Sequence, residues 1–345
     1  MKLKKQFENF HDAIKISGSS ESHDLRTKRE TLQNDFTNKF PVNCEGDDIA
    51  INKSELRFID QGSYKINTVI KNPTGSIDRD VAVIFPLDID LHSDPRILKK
   101  HAKNALEITN RRIPKIKEPC ITVGYHEDGV EYMHIDFPMY AVHYGTLYLA
   151  RGKEYSDNYE WEEADPEGLN EYFLDKLKDN PQLKRIIRYI KKWKMDTYAN
   201  PVSSNEVPPS IALTLLACKH FVEYKEGSNY DDLTSLYRVM DNILDTFIVS
   251  KDYYGEIQSA TIDCTLPVTP YSDVFYKMKN SKDHCIKFYK RLKKAVDNLQ
   301  NACNVDSEHE AAKYVQKVLG DSFEVPPKEA STVASVLGKR ENSFG

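Results

Sequence analysis

The sequence predicts an α+β fold: a mixed sheet with flanking helices, then a helical C-terminal lobe, with one long helix ahead of both. Three observations predict it. Between residues 50 and 150, short β-branched and apolar runs alternate with turn residues and a single helical stretch. From Asp165-Pro166 onward the apolar spacing becomes helical. Ahead of both regions, Leu25, Leu32, Phe36 and Phe40 recur at near-helical intervals, and Pro41 is expected to end that helix.

Taken in order, residues 1–18 read as a short helix with Phe7, Phe10, Ala13 and Ile14 on one face. The helix over Leu25 to Phe40 would form a spine along two lobes. Glu55 to Asp60 reads as a strand leading into Gln61-Gly62-Ser63, and Val81 to Phe85 as a buried strand. Asp94-Pro95 starts a helix carrying Ile97, Leu98, Ala102, Ala105, Leu106 and Ile108. Cys120 to Tyr125 and Tyr132 to Tyr140 are strands joined by a Glu127-Asp128-Gly129 turn, and Thr146 to Ala150 closes the sheet. Helices follow at 167–178, 181–198, 208–224, 231–249, 283–303 and 308–319, with loops at 200–209 and 264–270. The tail from about 321 lacks apolar periodicity and reads as disordered. The expected division is residues 1–50 for the N-terminal helices, 51–160 for the sheet region, 161–320 for the helical lobe and 321–345 for a flexible tail.

Composition narrows the class. At 345 residues the chain can bury a sizeable core, and 40% apolar with 29% charged residues is ordinary soluble composition. No apolar run approaches the ~18 residues of a membrane helix. The start, Met1 to Phe7, is basic but has no apolar segment of signal-peptide type. Six scattered cysteines without a Cys-x-x-Cys pair suggest neither a disulfide framework nor a zinc ribbon, and so a reducing cytoplasm. A net charge of −5 argues against a dedicated nucleic-acid binder.

The chemistry concentrates between Gln61 and Asp80. Asp78-Arg79-Asp80 runs straight into Val81-Ala82-Val83-Ile84-Phe85. Strand residues alternate faces, so Asp78 and Asp80 point the same way. Two carboxylates on one face are costly unless a cation lies between them, and the cation suited to oxygen ligands and a triphosphate is magnesium. Gly62-Ser63, on the turn after the preceding strand, offers backbone N–H groups and a hydroxyl to phosphate oxygens. Asp136 is a lone acid in the apolar strand Tyr132 to Tyr140 and can aim at the same face. Tyr64 and Trp193 read as packing residues, and His134 and His143 as core or surface histidines.

This ordered set resembles the nucleotidyltransferase superfamily of DNA polymerase β, whose pattern is a Gly-Ser turn, an Asp-x-Asp strand and a third carboxylate on a later strand. Further pieces resemble the bacterial cyclic-oligonucleotide synthases, the CD-NTases of the antiphage systems called CBASS, which are relatives of animal cyclic GMP–AMP synthase. They are QGSYKINTVIK, DRDVAVIF, HIDFPMYA, LYLARGKE with WEEADPEGL, LKRIIRYIKKWK and PPSIALTLLACKHF, in the family's order over roughly residues 55–225. Unlike the animal enzyme, the chain has no zinc-binding His/Cys cluster and no basic surplus, which argues against activation by long double-stranded DNA.

The resemblance implies a polymerase β-like core, a bilobal architecture and a two-metal mechanism. Asp78, Asp80 and Asp136 would hold two magnesium ions, with manganese as a substitute, and Asp136 would accept the proton of the attacking ribose hydroxyl. Gln61, Gly62 and Ser63 would grip the triphosphate of ATP, GTP or another ribonucleoside triphosphate. Lys191, which shares a helix face with Arg188, would reach phosphate; the pair taken alone is a solvated helix face. Ser210 starts a helix, as a phosphate contact or as a plain N-cap. The product would be a cyclic di- or trinucleotide second messenger read by a downstream effector. In part of this family a tail like the one ending in Gly345 is joined to other proteins by an operon-encoded ubiquitin-transfer-like enzyme. The alternatives are an RNA- or tRNA-tailing nucleotidyltransferase and a nucleotide-binding protein without catalysis.

Overall fold

The strand that carries Asp78 and Asp80 runs through the middle of an eight-stranded mixed sheet. The computed structural model describes residues 1–16, 20–71, 77–109 and 111–328. Two helices open the chain, α1 (Lys4–Ile14) and α2 (Ser20–Glu45). The sheet then contains β1 (Arg57–Gln61), β2 (Ile77–Pro86), β3 (Lys115–Ile116), β4 (Ile121–Glu127), β5 (Val130–Phe137), β6 (Met139–His143), β7 (Thr146–Gly152) and β8 (Tyr159–Glu163). Two helices are inserted, the single turn α3 (Gly62–Lys65) after β1 and α4 (Pro95–Leu106) after β2.

β1 pairs antiparallel with β2 on one edge. On the other edge, β5 and then β6 run parallel to β2 as one interrupted line, Ile77 opposite Met133 through Pro86 opposite Val142. The interruption is Pro138, whose carbonyl still accepts from Val83 N–H at 2.9 Å. The single strand expected over Tyr132 to Tyr140 is thus two. β4 continues the sheet beyond β5, and β7 and β8 continue it beyond β6.

The residues of β2 divide by parity. Val81, Val83 and Phe85 pack with Phe36 and Phe40 of α2 and Leu98 and Ala102 of α4. Ala82 and Ile84 face the other way, towards Tyr140 of β6. Asp78 and Asp80 share the parity of Ala82 and Ile84, so the acids lie on the face away from α2 and α4.

Two expectations fail along the N-terminal helices. α2 does not stop at Pro41 but continues to Glu45 with the proline inside it. Proline removes one helical hydrogen bond, yet Phe36, Phe40 and Cys44 form one fully buried stripe across it, and this packing outweighs the loss. In α1, Phe7, Phe10 and Ile14 are buried while Ala13 is exposed.

The helical lobe contains α5 (Pro166–Leu177), α6 (Pro181–Thr197), α7 (Ser210–His220), α8 (Asp232–Leu244), the short α9 (Tyr276–Lys279), α10 (Lys282–Asn304) and α11 (Glu308–Leu319). Side-chain caps start α4, α5 and α6 (Asp94, Asp165 and Asn180), each ahead of a proline in the first turn. The helix expected over 231–249 ends at Leu244, and Ile248–Lys251 instead pairs with Ile257–Thr261 as a hairpin. α1 joins this lobe, with Phe7 and Phe10 packed beside Tyr189. The chain just past α11 is also ordered, against expectation. Phe323 is fully buried against Phe7 and Phe10, and the Pro326 carbonyl meets His309 at 2.7 Å. Residues 329–345, including Gly345, lie outside the described residues.

One buried cation fixes the edge of the sheet. Lys99 of α4 is fully buried, and its ammonium donates to the carbonyls of Lys117, Glu118 and Gly152 at 2.7, 2.7 and 2.9 Å. Burial depresses its pKa from 10.5 to about 8. Between those values the unfolded chain binds the proton and the folded chain does not, so stability contributed at this site rises with pH. We therefore expect the unfolding free energy of the wild type, minus that of Lys99→Met, to grow from about pH 8 to about pH 10 in denaturant titrations. A difference that stays flat or shrinks across that window would mean that no buried charge is being relieved.

Candidate active site

The turn after β1 is shaped around a carboxylate. Gly62 has φ +61°, and a Cβ at that position would overlap the carboxylate of Asp80. Glycine is therefore required twice, for its backbone conformation and for its missing side chain. Thr68 N–H closes the turn onto Ser63 carbonyl at 2.8 Å. Gln61, the last residue of β1, lies opposite Asp80 and hydrogen-bonds the hydroxyl of buried Tyr140.

Register brings the acids together. In the parallel β2–β5 pair, Asp80 is opposite Asp136, and Asp78 is opposite His134. Asp78, His134 and Asp136 each place a ligand-type atom within 4.8 Å of the others. His134 Nε2 lies 3.2 Å from Asp78, and its Nδ1 lies 3.2 Å from Glu131. Burial, then the charges of Asp78 and Asp136, push the Asp80 carboxyl well above the usual range. Asp136 is raised by burial and by Asp78, with Thr122 hydrogen bonding and Lys117 acting against them. Burial works to lower His134, but its hydrogen bond to Asp78 and the charges of Asp78 and Asp136 together outweigh burial and the imidazole is raised.

This set fits a divalent cation. Asp136 Oδ1 is buried without a hydrogen-bond partner, while Lys117 Nζ lies 3.7 Å from Oδ2. An orphaned buried carboxylate oxygen beside two further acids is an unstable arrangement for the protein alone and a favourable one around a cation.

A cavity of about 830 Å³ opens beside these strands. Gln61, Gly62 and Ser63 line it next to Asp78 and Asp80, while Lys191, Lys194 and Ser210 come from the helical lobe. Asp136 is one strand further in and is not part of the wall. Lys191 is buried and donates to the Thr68 hydroxyl at 2.9 Å and carbonyl at 3.2 Å. Burial, with Lys194 and Arg188 nearby, lowers its pKa to about 7. Lys194 donates to Ser210 Oγ at 2.6 Å and is lowered by burial to about 8. Ser210 is the first residue of α7, after Pro209. Arg188 is committed elsewhere, to the Asn67 carbonyl at 2.6 Å, with His11 2.9 Å away.

Three contributors escape a reading of the sequence one residue at a time. His134 stands two residues before Asp136 on the same strand, so alternation alone puts it on the same face. Lys194 follows Lys191 by one helical turn. Arg79 points away from the acids, is 3% exposed, pairs with Asp60 at 2.9 Å and stacks on the Tyr64 ring at 3.8 Å. Arg29 of α2 reaches the same Asp60 oxygen at 3.3 Å. The spine helix is thereby tied to the turn that bears Gly62 and Ser63.

Three outcomes follow from this geometry. Arg79→Met, which leaves Asp60 with only Arg29, should cost about 3 kcal/mol in denaturant unfolding; an unchanged midpoint would mean that the ion pair is not formed. Magnesium or manganese should raise the melting temperature of the wild type through binding to the folded state. Asp80→Asn should melt higher than wild type in chelator, because a like charge is removed, and should respond less to the metal. An equal metal response in wild type and variant would exclude Asp80 from the cation site.

Known proteins share both the domain and the architecture. Residues 56–140 match the model of the nucleotidyltransferase domain of the cyclic GMP-AMP synthase DncV-like family. Structures of DncV from Vibrio cholerae align along nearly the whole chain. Its apo form gives a TM-score of 0.69 at 16% identity, covering 94% of this chain and 96% of that one. The GTP-bound form gives 0.69 at 16% identity with coverage of 94% and 96%. The complex of this cyclic AMP-GMP synthase with the linear intermediate 5′-pppA(3′,5′)pG gives 0.68 at 16% identity, again covering 94% and 96%. Residues 56–140 thus match a DncV-like nucleotidyltransferase domain, and the chain has the DncV fold.

Proposed function

We propose that the chain joins ribonucleoside triphosphates into a cyclic di- or trinucleotide second messenger, releasing pyrophosphate, with magnesium as the cation. The observation that carries this reading is the cross-strand pair Asp80–Asp136 with Asp78 on the same face, beside a cavity whose other wall bears Lys191 and Lys194. Asp78, Asp80 and Asp136 would hold the cations, which when bound supply neutralisation of phosphate charge and acidification of the attacking hydroxyl.

The chain's own groups perform the rest. Gln61, Gly62 and Ser63 orient the triphosphate against the acids. A ribose hydroxyl of the second nucleotide attacks the α-phosphorus; the new bond is O–P and the broken bond is that to pyrophosphate. Asp136, whose proton affinity is raised and whose Oδ1 has no other partner, takes the hydroxyl proton. Lys191 and Lys194 offset the charge gathering on the leaving pyrophosphate. A second attack within the retained linear product closes the ring. The cavity volume is at the upper end of the ~300–1,000 Å³ usual for small-molecule sites, which suits two nucleotides held at once.

The wider reading is that the product alerts a downstream effector in cytoplasmic antiphage defence, with conjugation through Gly345 as a means of control. Among the described residues no helix is long and apolar enough to cross a membrane.

Purified protein incubated with the four triphosphates and magnesium should form a phosphatase-resistant product by mass spectrometry, with pyrophosphate released. Replacing Asp78 and Asp80 together by Ala should reduce it to background while the chain stays folded, since like charges are removed. Continued synthesis by that double variant would overturn the assignment, and label transferred to added RNA instead would favour a tailing enzyme.

A further inference from the structure

The two lobes meet on both sides of the cavity, and the two seams differ in kind. On one side the contacts are buried and end on backbone. Arg188 holds the Asn67 carbonyl, Lys191 holds the Thr68 carbonyl, and Asn170 donates to the Asp60 carbonyl at 3.1 Å. Donors and acceptors like these find no water to replace them and stay paired. On the other side the contacts are half-exposed ion pairs centred on Glu118. One Glu118 oxygen takes the guanidinium of Arg151 from β7. The other takes Lys277 of α9 at 2.6 Å. Arg151 also reaches the Tyr276 hydroxyl at 2.9 Å and Glu162 at 2.7 Å. Ion pairs of this exposure are readily exchanged for water, so this seam is the one that opens at small cost.

Glu118 is also tied towards the acids. The buried ammonium of Lys99 holds the carbonyls of both Lys117 and Glu118, so the turn between β3 and β4 is rigid. From that turn, Lys117 reaches Asp136. Arg151, Tyr276 and Lys277 all line the cavity.

We propose that Glu118 is a positioning residue that latches α9 across the mouth of the cavity and holds nucleotide against Asp78, Asp80 and Asp136. This rests on the nucleotidyl-transfer reading for its kinetic consequence, although the latch itself is a property of the fold. The latch acts on retention of nucleotide and leaves the acids in place, so its loss falls on KM.

The test uses the full chain as wild type, Glu118→Gln, Lys277→Met and the double variant. Melting temperatures should stay close to wild type, while deuterium uptake over residues 270–279 becomes faster. KM for nucleoside triphosphate should rise about tenfold, a loss in the range of contacting, coupled residues. The kcat should change by less than about twofold, and the double variant should be no worse than either single one. Unchanged uptake at 270–279 would refute the latch; faster uptake with unchanged KM would reduce Glu118 to a structural contact and refute its positioning role. Should the wild type turn over no triphosphate, the functional reading falls and uptake decides the latch alone. A non-hydrolysable GTP analogue should then slow uptake at 270–279 in wild type but not in Glu118→Gln, and equal behaviour of the two would refute it.

Discussion

Everything in this molecule has to accommodate three carboxylates held on one sheet face by the register of two parallel strands. At an effective dielectric of about 20, two like charges 4–5 Å apart repel by roughly 3–4 kcal/mol. The same strand provides the counterweight. Val81, Val83, Ile84 and Phe85 are almost completely buried, and such side chains contribute about 1.5–3 kcal/mol each. Three carboxylates make three such pairs, so burial along β2 is of the same order as the repulsion at its start and offsets it. Their cost appears as raised proton affinity at Asp80 and Asp136.

The alternation along β2 also sorts the chain around it. Odd-numbered residues from Val81 to Phe85 meet α2 and α4, while of the even-numbered ones Asp78 and Asp80 line the cavity and Ala82 and Ile84 pack with Tyr140. Arg79, between the two acids, consequently serves the opposite face, where it stacks on Tyr64 and shares Asp60 with the spine helix. One tripeptide thus fixes both the acids and the turn that confronts them. The cations on the far wall come from α6, whose neighbouring residues are buried in the helical lobe. The two halves of the site come from different lobes and are joined directly where Lys191 holds Thr68 and Arg188 holds Asn67.

Much of this was legible in the sequence because it is periodic. The acids precede a β-branched apolar run, Asp136 stands in another, and caps such as Asp94-Pro95 announce their helices. What escaped depends on partners far along the chain. His134 looked solitary because Asp78 becomes its neighbour only once β2 and β5 pair in parallel. Phe323 has no periodic companions, and its burial is supplied by α1 at the opposite end of the chain. Pro41 is a helix breaker by local rule, overridden by the aromatic stripe on either side of it. The ion pairs at Glu118 join three elements by long side chains, for which composition and spacing hold no signal.

Pro138 shows how narrowly the site is specified. Proline donates no ladder hydrogen bond, so it splits the long parallel strand into β5 and β6. The offset between partners is nevertheless the same on both sides of it, because the Pro138 carbonyl still receives Val83 N–H. The break lets the strand change its outer neighbour, from β4 beside Asp136 to β7 beside Tyr140, while keeping its register with β2. A slip of one residue would turn Asp136 into the packed layer of α2 and bring Ile135 or Phe137 to the cavity face. The buried alternation of Met133, Ile135 and Phe137 resists that slip. The position of the third carboxylate is therefore set by apolar side chains on the opposite face of its own strand, and only secondarily by the charges around it.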